Sequence, residues 1–368
     1  MAIRFVLPEQ ESESVAFAYS PVVEAVLSLH VLVAPRHHPL QHAWVRRMRQ
    51  LDPKLKAEIR AFRFAYVGHF PDFLFPRPDE EFLEFDEELA FLHDLEPETL
   101  AFEFLRPVYD HEGTWPRDGA LLEREDVRRH VRESCARLGP DSEALGALIF
   151  DDPTELGRRF CSLLERYWEA AFEEEWPTIE ELLVEAVEEA GGRLATEGVL
   201  GLLADLRPHL RVEPERRQAW IKIPHEHEVA LSPQEPLVLS PSYFVWPHLR
   251  VNCDPPFPVS LIYPPRSVRE EAAPKLPSGE LVEGLRAIGD DTRLRVLALI
   301  AERPRSTQEL APLVGMSEAG LSKHLRLLAR AGVLESRRDG YYVLYSLVPD
   351  RLAALSATLV AFVRPPKR

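Results

Sequence analysis

Two helix starts separated by one glycine constrain the fold of residues 306–331 more than any other feature of the chain. Ser306-Thr307-Gln308-Glu309 has the spacing of a capping box, in which a serine and a glutamate satisfy each other's free backbone N–H groups. The box predicts a two-turn helix that ends at Gly315, because glycine adopts the left-handed conformation at a helix C-terminus without strain. Ser317 then predicts the N-cap of a longer helix, residues 318–331. Helix, tight turn and helix form the helix-turn-helix pattern, whose second helix enters the major groove of DNA.

Two short runs rich in β-branched and aromatic residues follow this helix, VLESR and YYVLYSL. Arg338-Asp339-Gly340 joins them, and an Asp-Gly pair between alternating strands indicates a hairpin, because a type I′ turn needs positive φ at both central residues. A helix-turn-helix followed by a basic hairpin is typical of a winged helix. The ordered series of cap, turn, helix and wing is far more specific than a helix-turn-helix alone.

Charge is unevenly distributed along the chain. The formal net charge is −16, yet residues 275–368 hold 15 Lys+Arg against 10 Asp+Glu, and the remainder holds 29 against 50. Only the C-terminal part is therefore suited to contact phosphate, whereas the acidic remainder disfavours nonspecific coating of DNA.

The segment from Leu281 to Leu347 resembles the arsenic-repressor (ArsR) family of bacterial winged-helix regulators. The resemblance rests on DDTRLRVLALIAE and on STQELAPLVGMSEAGLSKHLRLLARAGVLESRRDGYYVLYSL, about a fifth of the chain. It implies a homodimeric winged helix whose first and last helices, here 281–290 and 350–363, form the dimer interface. It also implies a transcriptional regulator, usually a repressor released by an inducer. Dimer symmetry then predicts an operator with inverted repeats.

The part of the chain before the winged helix resembles a domain of unassigned role that precedes such winged helices in some bacterial regulators. SPSYFVWPHLRVNCDPPFPVSLIYPPR carries this resemblance, which implies no particular chemistry. We expect this part to sense a small-molecule effector or to bind a protein partner. Its aromatic segments 62–75 and 241–246 either line an apolar pocket or form ordinary core.

A helical period of 100° per residue selects the side chains predicted to meet double-stranded DNA. Leu321, Leu325 and Leu328 share the buried stripe, and the positions facing away from it are suited to phosphates or base edges, unless they form only a solvated helix face. His324 lies beside the stripe, so it either touches phosphate or packs. The predicted DNA-binding residues are Ser317, Glu318, Ala319, Ser322, Lys323, His324, Arg326, Arg337, Arg338 and Tyr341.

Metal sensing of the kinds known in the resembled family is excluded inside the winged helix. Some members bind metal through Cys-x-Cys before the turn, where this chain has Ser306 and Gln308. Others use Asp and His on the last helix, where this chain has Asp350 and Leu352. No cysteine occurs after residue 253 and no histidine after residue 324, so these ligands are missing.

The rest of the sequence also contains no clear motif for metal binding or catalysis. The histidine clusters 36–42 and 224–228 have chelating spacings, but histidines beside prolines are more often polar surface, so we expect no metal and no cofactor. The chain has no G-x-S-x-G elbow, P-loop or G-x-G-x-x-G, so we expect no catalytic residues and no enzyme. Two alternatives stay open. One is a protein-interaction module that uses the winged helix for assembly, and the other is a small-molecule-binding domain with weak enzymatic activity.

Proline residues mark predicted helix starts in the rest of the chain. Ser20-Pro21, Asp52-Pro53 and Asp152-Pro153 each predict an N-cap followed by the first helical residue. Residues 14–20 alternate like a short edge strand, and helical periodicity continues to about residue 206, broken at Gly191-Gly192 and at proline-rich loops. Between residues 211 and 263 lie the β-rich runs AWIKI, EVAL, LVLS, YFVW, LRVN and VSLIY, which favour a small antiparallel sheet.

These patterns predict an α+β protein with two domains. The first is a mainly helical regulatory domain, residues 1–206, with a β-rich part of the same domain at 207–264. Residues 265–279 are predicted to be a linker, and 280–368 a winged helix-turn-helix for DNA binding and dimerisation. Three isolated cysteines and the lack of a secretion signal or long apolar run predict a soluble cytoplasmic protein that does not bind membranes.

Overall fold

The computed structural model describes residues 2–8, 14–77, 82–109, 119–206, 210–222, 227–272, 277–339 and 342–363. The chain divides into two compact units, Met1–Ala272 and Ala273–Arg368. Within the described ranges, no helix combines the length and the apolar character that a membrane crossing needs.

Helices make up most of the first unit. Those described are α1 (Pro21–Val33), α2 (His42–Arg47), α3 (Pro53–Ala61), α4 (Phe85–His93), α5 (Pro97–Leu105), α6 (Glu125–Ala136), α7 (Pro140–Asp151), α8 (Pro153–Tyr167), α9 (Trp176–Ala204) and α10 (Arg266–Ala272). The three helix starts that were predicted at prolines are confirmed. Ser20 Oγ accepts from the Val23 N–H at 2.9 Å, and the Asp52 and Asp152 carboxylates cap α3 and α8 in the same way.

The longest helix, α9, breaks at a different glycine from the one predicted. Gly191 and Gly192 lie within the helix, whereas Gly198 has φ 69° and ψ 178°, outside the helical region. The prediction of a break at the Gly-Gly pair was wrong, because two helical glycines weaken a helix without ending it. A side chain would be strained at Gly198, so the bend depends on that residue.

Eight strands form two four-stranded sheets in the described part of the first unit. They are β1 (Ala2–Val6), β2 (Val15–Phe17), β3 (Leu210–Glu213), β4 (Gln218–Lys222), β5 (His227–Ala230), β6 (Leu237–Pro241), β7 (Arg250–Asn252) and β8 (Ser260–Tyr263). Their orders are β3-β4-β1-β5 and β2-β6-β8-β7. The edge strand predicted in residues 14–20 is confirmed as β2.

The sheets are mixed, so the prediction of a small antiparallel region was wrong. β1 pairs in parallel with β5, and β6 pairs in parallel with both β2 and β8. The difference arises because β1 and β2 come from the first 17 residues and join strands that follow the helices. A long connection is what allows two strands to pair in parallel.

The run YFVW at 243–246, predicted as a strand, is a turn segment instead. The buried Glu24 carboxyl on α1 accepts from the N–H groups of Tyr243 at 3.1 Å and Phe244 at 3.4 Å. The Val245 N–H donates to Ser242 Oγ at 3.1 Å. Side chains therefore replace the neighbouring strand as hydrogen-bond partners. Burial raises the pKa of Glu24 to about 8.

Two apolar clusters fill the first unit. The larger is built by the helices, and the smaller lies between the sheets and the C-terminal half of α9. The aromatic segment 62–75 belongs to the larger cluster, where Phe62, Tyr66 and Phe70 are at most 2% exposed. Phe244 is 1% exposed in the same cluster, so the aromatic side chains of these segments belong mainly to the core.

The segment 265–279, predicted as a linker, is partly helical. α10 occupies Arg266–Ala272 within the first unit, and residues 273–276 lie outside the described ranges. Arg269 Nη1 donates to the Asp205 carbonyl at 2.6 Å, and its guanidinium also pairs with the Asp205 carboxylate. These contacts tie α10 to the end of α9, which the proline-rich composition did not indicate.

The second unit contains the helices α11 (Gly279–Ile288), α12 (Asp291–Glu302), α13 (Thr307–Val314), α14 (Glu318–Arg330) and α15 (Pro349–Val363), and the strands β9 (Arg305–Ser306), β10 (Leu334–Asp339) and β11 (Tyr342–Leu347). The strand order is β10-β11-β9, so the hairpin gains a third strand that the sequence did not predict. α12, α13 and α14 enclose a small core with Val333 and Leu334. This is a winged helix, as predicted.

Candidate nucleic-acid interface

The predicted capping box starts α13. Ser306 Oγ accepts from the Glu309 N–H at 3.3 Å, and Glu309 Oε2 accepts from the Ser306 N–H at 2.8 Å. The Ser306 N–H, followed by the Arg303 guanidinium, holds the pKa of Glu309 below its usual range. Ser306 is 2% exposed, so its hydroxyl serves the helix end.

The turn between the two helices also follows the prediction. Gly315 adopts φ 75° and ψ 34°, and its N–H donates to the Ala311 carbonyl. Ser317 Oγ accepts from the Gly320 N–H at 3.2 Å and caps α14. Because the caps fix both helix ends at one glycine, the direction of α14 relative to α13 is set locally.

The buried face of α14 is the predicted leucine stripe. Leu321, Leu325 and Leu328 are each 0% exposed and pack in the core of the second unit. Burying three leucine side chains stabilises the unit by about 1.5–3 kcal/mol each. The helix is thereby held in one rotation about its axis, which determines the residues that face outward.

The outward face of α14 carries most of the predicted contacts. Ser317, Glu318, Ala319, Lys323 and Arg326 are exposed, and Ser322 is half-buried. Among the described residues, no carboxylate pairs with Lys323 or Arg326. Two cations without acidic partners on one exposed helix face form a surface suited to phosphate or to base edges.

Ser322 and Arg326 are linked along the helix. Ser322 Oγ donates to the Glu318 carbonyl at 2.8 Å, and Arg326 Nε donates to the Ser322 carbonyl at 3.2 Å. The hydroxyl proton of Ser322 is therefore used within the helix, so this side chain is better suited to accept a hydrogen bond from DNA than to donate one.

His324 is not brought to this face. Its side chain is 22% exposed, and Nδ1 lies 3.7 Å from Oδ1 of Asp290, the residue that caps α12. The Nδ1 atom is buried without a hydrogen-bond partner among the described residues. The packing alternative agrees with this position better than a phosphate contact.

Arg330 was missed by the sequence reasoning. It is exposed in the last turn of α14, and it follows Lys323 by seven residues and Arg326 by four. At 100° per residue these three cations share one face. The helical period that selected the other two therefore could have found Arg330 as well.

The structure describes two of the three predicted DNA-binding residues of the wing. Arg337 and Arg338 are exposed on β10, and they pair across the hairpin with Leu344 and Val343 of β11. Consecutive strand residues point to opposite faces, so the two arginines project in opposite directions. Tyr341 lies outside the described residues.

The expected position of the wing turn needs one correction. Asp339 pairs with Tyr342, so Asp339 ends β10 rather than occupying the turn. The two connecting residues, 340 and 341, lie outside the described ranges. The prediction that Asp339 lies in the turn was therefore wrong, because the ladder extends to the Asp339–Tyr342 pair.

The last helix of the second unit is apolar yet mostly uncovered. Leu355 is its one buried residue among those described, and it packs against Gly284 of α11. A Cβ added to Gly284 would lie only 2.6 Å from Leu355 Cδ1. Val360 and Val363 are 52% and 61% exposed. An amphipathic helix with exposed valines is typical of a surface that another protein covers.

The two histidine clusters have chelating spacings in the sequence, and the structure separates the side chains of the first. His38 is buried and shares a hydrogen bond with the Trp246 carbonyl at 2.8 Å, whereas His42 is exposed at the start of α2. His225 lies outside the described residues.

One other group of donor atoms comes together in the first unit. The ligand atoms of His227, Cys253 and Asp254 lie within 4.8 Å of one another. Burial raises the pKa of Cys253 to about 12, which disfavours the thiolate, and Asp254 accepts from Arg106 at 2.7 Å. These donors are therefore poorly prepared for a metal ion.

Comparison with known proteins agrees with this geometry. Residues 288–337 match the profile described as "Helix-turn-helix domain". The chain is 40% identical over 76 residues to the "Uncharacterized HTH-type transcriptional regulator Rv0081" of Mycobacterium tuberculosis, covering 20% of this chain and 67% of that protein. It is 33% identical over 107 residues to the "HTH-type transcriptional repressor SmtB" of the same species, covering 29% and 70%. The crystal structure of Rv0081 matches with 38% identity and a TM-score of 0.19, covering 22% of this chain and 86% of that chain.

The winged helix therefore places this chain among the DNA-binding transcriptional regulators of the ArsR/SmtB type. The larger part of the chain has its own family. Residues 1–269 match the profile "Family of unknown function (DUF5937)", and the chain belongs to this family.

Proposed function

We propose that this protein represses transcription as a homodimer that places α14 of each protomer in the major groove of an inverted-repeat operator. The observation that carries the proposal is the exposed face of α14, where Lys323 and Arg326 have no carboxylate partner among the described residues. By contrast, Arg295 and Arg303 of this unit pair with Asp291 and Glu309.

Each part of the surface has a role in this proposal. Lys323 and Arg326 contact phosphate or guanine, and Ser317, Glu318, Ala319 and Ser322 line the same face near the helix start. Arg337 and Arg338 follow the wing, one toward DNA and the other away from it, because they project from opposite faces of β10. The two-fold axis of the dimer would set half-sites about 34 Å apart.

The second copy of the chain is the proposed partner of α15. The exposed valines 360 and 363 and the half-buried residues 352, 359 and 362 form an apolar surface that a second α15 could cover. Such isologous packing buries the same residues on both protomers. The first unit, Met1–Ala272, is then the proposed sensor, because it holds most of the chain and lies outside the winged helix.

Selection of DNA from a random pool by the full chain, at stated salt, tests this function. We expect enriched sequences with two inverted half-sites about one helical turn apart. Enrichment of no sequence would refute specific DNA binding, and enrichment of a single unrepeated site would refute the symmetric dimer. A reporter driven by the selected operator then distinguishes repression from activation.

A further inference from the structure

A basic segment interrupts the acidic first unit. Residues 36–63 hold eight Lys+Arg and two Asp+Glu, whereas the whole chain holds 44 and 60. Both acids are engaged. Asp52 accepts from the N–H groups at the start of α3, and Glu58 pairs with Arg166 at 2.6 Å. The cations of this segment therefore exceed the carboxylates available to neutralise them.

Four of these cations surround one cavity. Arg49, Lys56, Arg60 and Arg63 line a cavity of about 250 Å³ that opens between α1, α2 and α3. No carboxylate lines it, and among the described residues none of the four cations forms an ion pair. Arg47, which lies outside the cavity, pairs with Glu175 at 2.5 Å. Among the described residues, four of the seven cations of this segment that form no ion pair therefore line the cavity.

Arg63 lines this cavity and has one unsatisfied hydrogen-bond donor. Its Nη2 donates to the Leu138 carbonyl at 3.3 Å, but its Nε is buried and has no hydrogen-bond partner among the described residues. A buried guanidinium N–H without a partner is unfavourable, and an anion in the cavity would interact favourably with the positive charge of the Arg63 guanidinium. Lys56 Nζ, by contrast, donates to the Arg49 carbonyl at 2.9 Å.

The rest of the cavity lining is apolar. Met48, Leu51 and Ile59 are 7%, 8% and 3% exposed and form its floor, and Leu32 and Val45 are half-buried at its sides. An apolar floor below a cationic rim is complementary to a molecule with an apolar body and one anionic end. A free phosphate or a nucleotide would leave this floor without apolar contacts.

The cavity volume limits the size of the ligand. An apolar cavity of roughly 150 Å³ holds benzene. A cavity of about 250 Å³ therefore accommodates one six-membered ring or a short alkyl chain, together with a carboxylate. Its volume is slightly below the usual range for small-molecule sites, about 300–1,000 Å³, which excludes larger cofactors.

We infer that this cavity binds a small monocarboxylate with an apolar tail, the carboxylate meeting Arg63 and the rim cations and the tail covering Met48, Leu51 and Ile59. The assignment gives the first unit a specific ligand class, and only its regulatory meaning rests on the proposed DNA-binding function. Binding itself is independent of DNA, so its test is separate from the operator selection.

Isothermal titration calorimetry of the full chain with 4-phenylbutyrate at low salt tests this inference. The uncharged 4-phenylbutyramide has the same tail and serves as the matched probe. We expect saturable one-to-one binding of the acid, and binding of the amide at least about tenfold weaker, since only the acid pairs with the cations. No binding of the acid, or equal binding of both probes, would overturn the inference.

A matched pair of double variants locates the site. Arg49→Gln/Arg60→Gln removes two exposed rim cations, and Arg46→Gln/Lys54→Gln removes two exposed cations of the same segment that do not line the cavity. Both pairs lose the same charge. We expect the rim variant to bind the acid about tenfold more weakly and the control to bind within about twofold of wild type. Equal affinities of the two variants would place the ligand elsewhere. Equal melting temperatures would show that folding is intact.

Discussion

Replacing Lys323 and Arg326 together with alanine removes two of the three uncompensated cations among the described residues of the α14 face and leaves Arg330 in place. Both side chains are exposed and make no ion pair among the described residues, so the free energy of unfolding should change by less than about 0.5 kcal/mol each. The leucine stripe on the opposite face is untouched. Any loss of DNA affinity in this variant therefore reports the contacts of the two cations.

The expected loss follows from counterion release. A dimer presents each cation twice, so the double variant removes four positive charges from the proposed interface. If all four meet phosphates, the slope of log K against log salt becomes shallower by about 3.6, at about 0.9 per contact. Between about 50 and 200 mM salt, wild type then loses about two orders of magnitude more affinity than the variant does. A base contact by Arg326 would instead weaken binding at every salt concentration, by about 1–3 kcal/mol.

Fluorescence anisotropy of a labelled operator, at four or more salt concentrations, measures both quantities. The control is Arg295→Ala/Arg303→Ala, which removes two arginines of the same unit that already pair with carboxylates. We expect the control to keep the wild-type slope. If the Lys323/Arg326 variant kept both the affinity and the slope of wild type, α14 would not be the helix that contacts DNA.

Three further predictions concern stability and assembly. Since burial raises the pKa of Glu24 from 4.5 to about 8, the folded state binds the extra proton and the wild type loses stability as the pH rises through this window. Glu24→Gln does not titrate, but it gives up one of the two oxygens that accept the Tyr243 and Phe244 N–H groups. Urea unfolding should therefore show wild type losing up to about 5 kcal/mol across this window, at about 1.4 kcal/mol per pKa unit, and the variant showing no such loss. Parallel pH profiles would contradict this. Gly198→Ala should lower the free energy of unfolding by about 1–3 kcal/mol, because residue 198 has a positive φ. Gly192→Ala should raise it by about 0.5–1 kcal/mol, because residue 192 is helical and has open space around it. The reverse order of the two variants in thermal melts would refute the assignment of the bend. Val360→Glu should convert the proposed dimer to a monomer in analytical ultracentrifugation, whereas Thr358→Glu, exposed on the same helix, should not. A Val360→Glu dimer would remove α15 from the interface.

Local chemistry made the winged helix predictable. The capping box, the glycine at the end of α13 and the serine before α14 each form hydrogen bonds to partners no more than four residues away along the chain. These hydrogen bonds could therefore be inferred without knowing the rest of the fold. The leucine stripe fixed the rotation of α14, and the outward cations followed from it. The same holds for the three proline starts in the first unit.

Other features of the fold depend on hydrogen-bond and strand-pairing partners that are distant in sequence, so the local pattern did not predict them. The run 243–246 has strand composition, but Glu24, about 220 residues away along the chain, provides its hydrogen-bond acceptors. β1 and β2 are too short to reveal that they pair in parallel with strands beyond residue 226. His324 appears equally suited to DNA or core until Asp290 is found beside it.

The amino-acid sequence alone thus determined the class of the second unit, its caps, its buried stripe and the face of α14 that is turned outward, because each depends on interactions within a few residues. Only the tertiary structure decided the mixed sheets, the helical start of the expected linker and the cavity between α1, α2 and α3. That cavity could not be found from sequence, because a surplus of arginine and lysine becomes a site only when the fold leaves the cations without carboxylates and places them above an apolar floor.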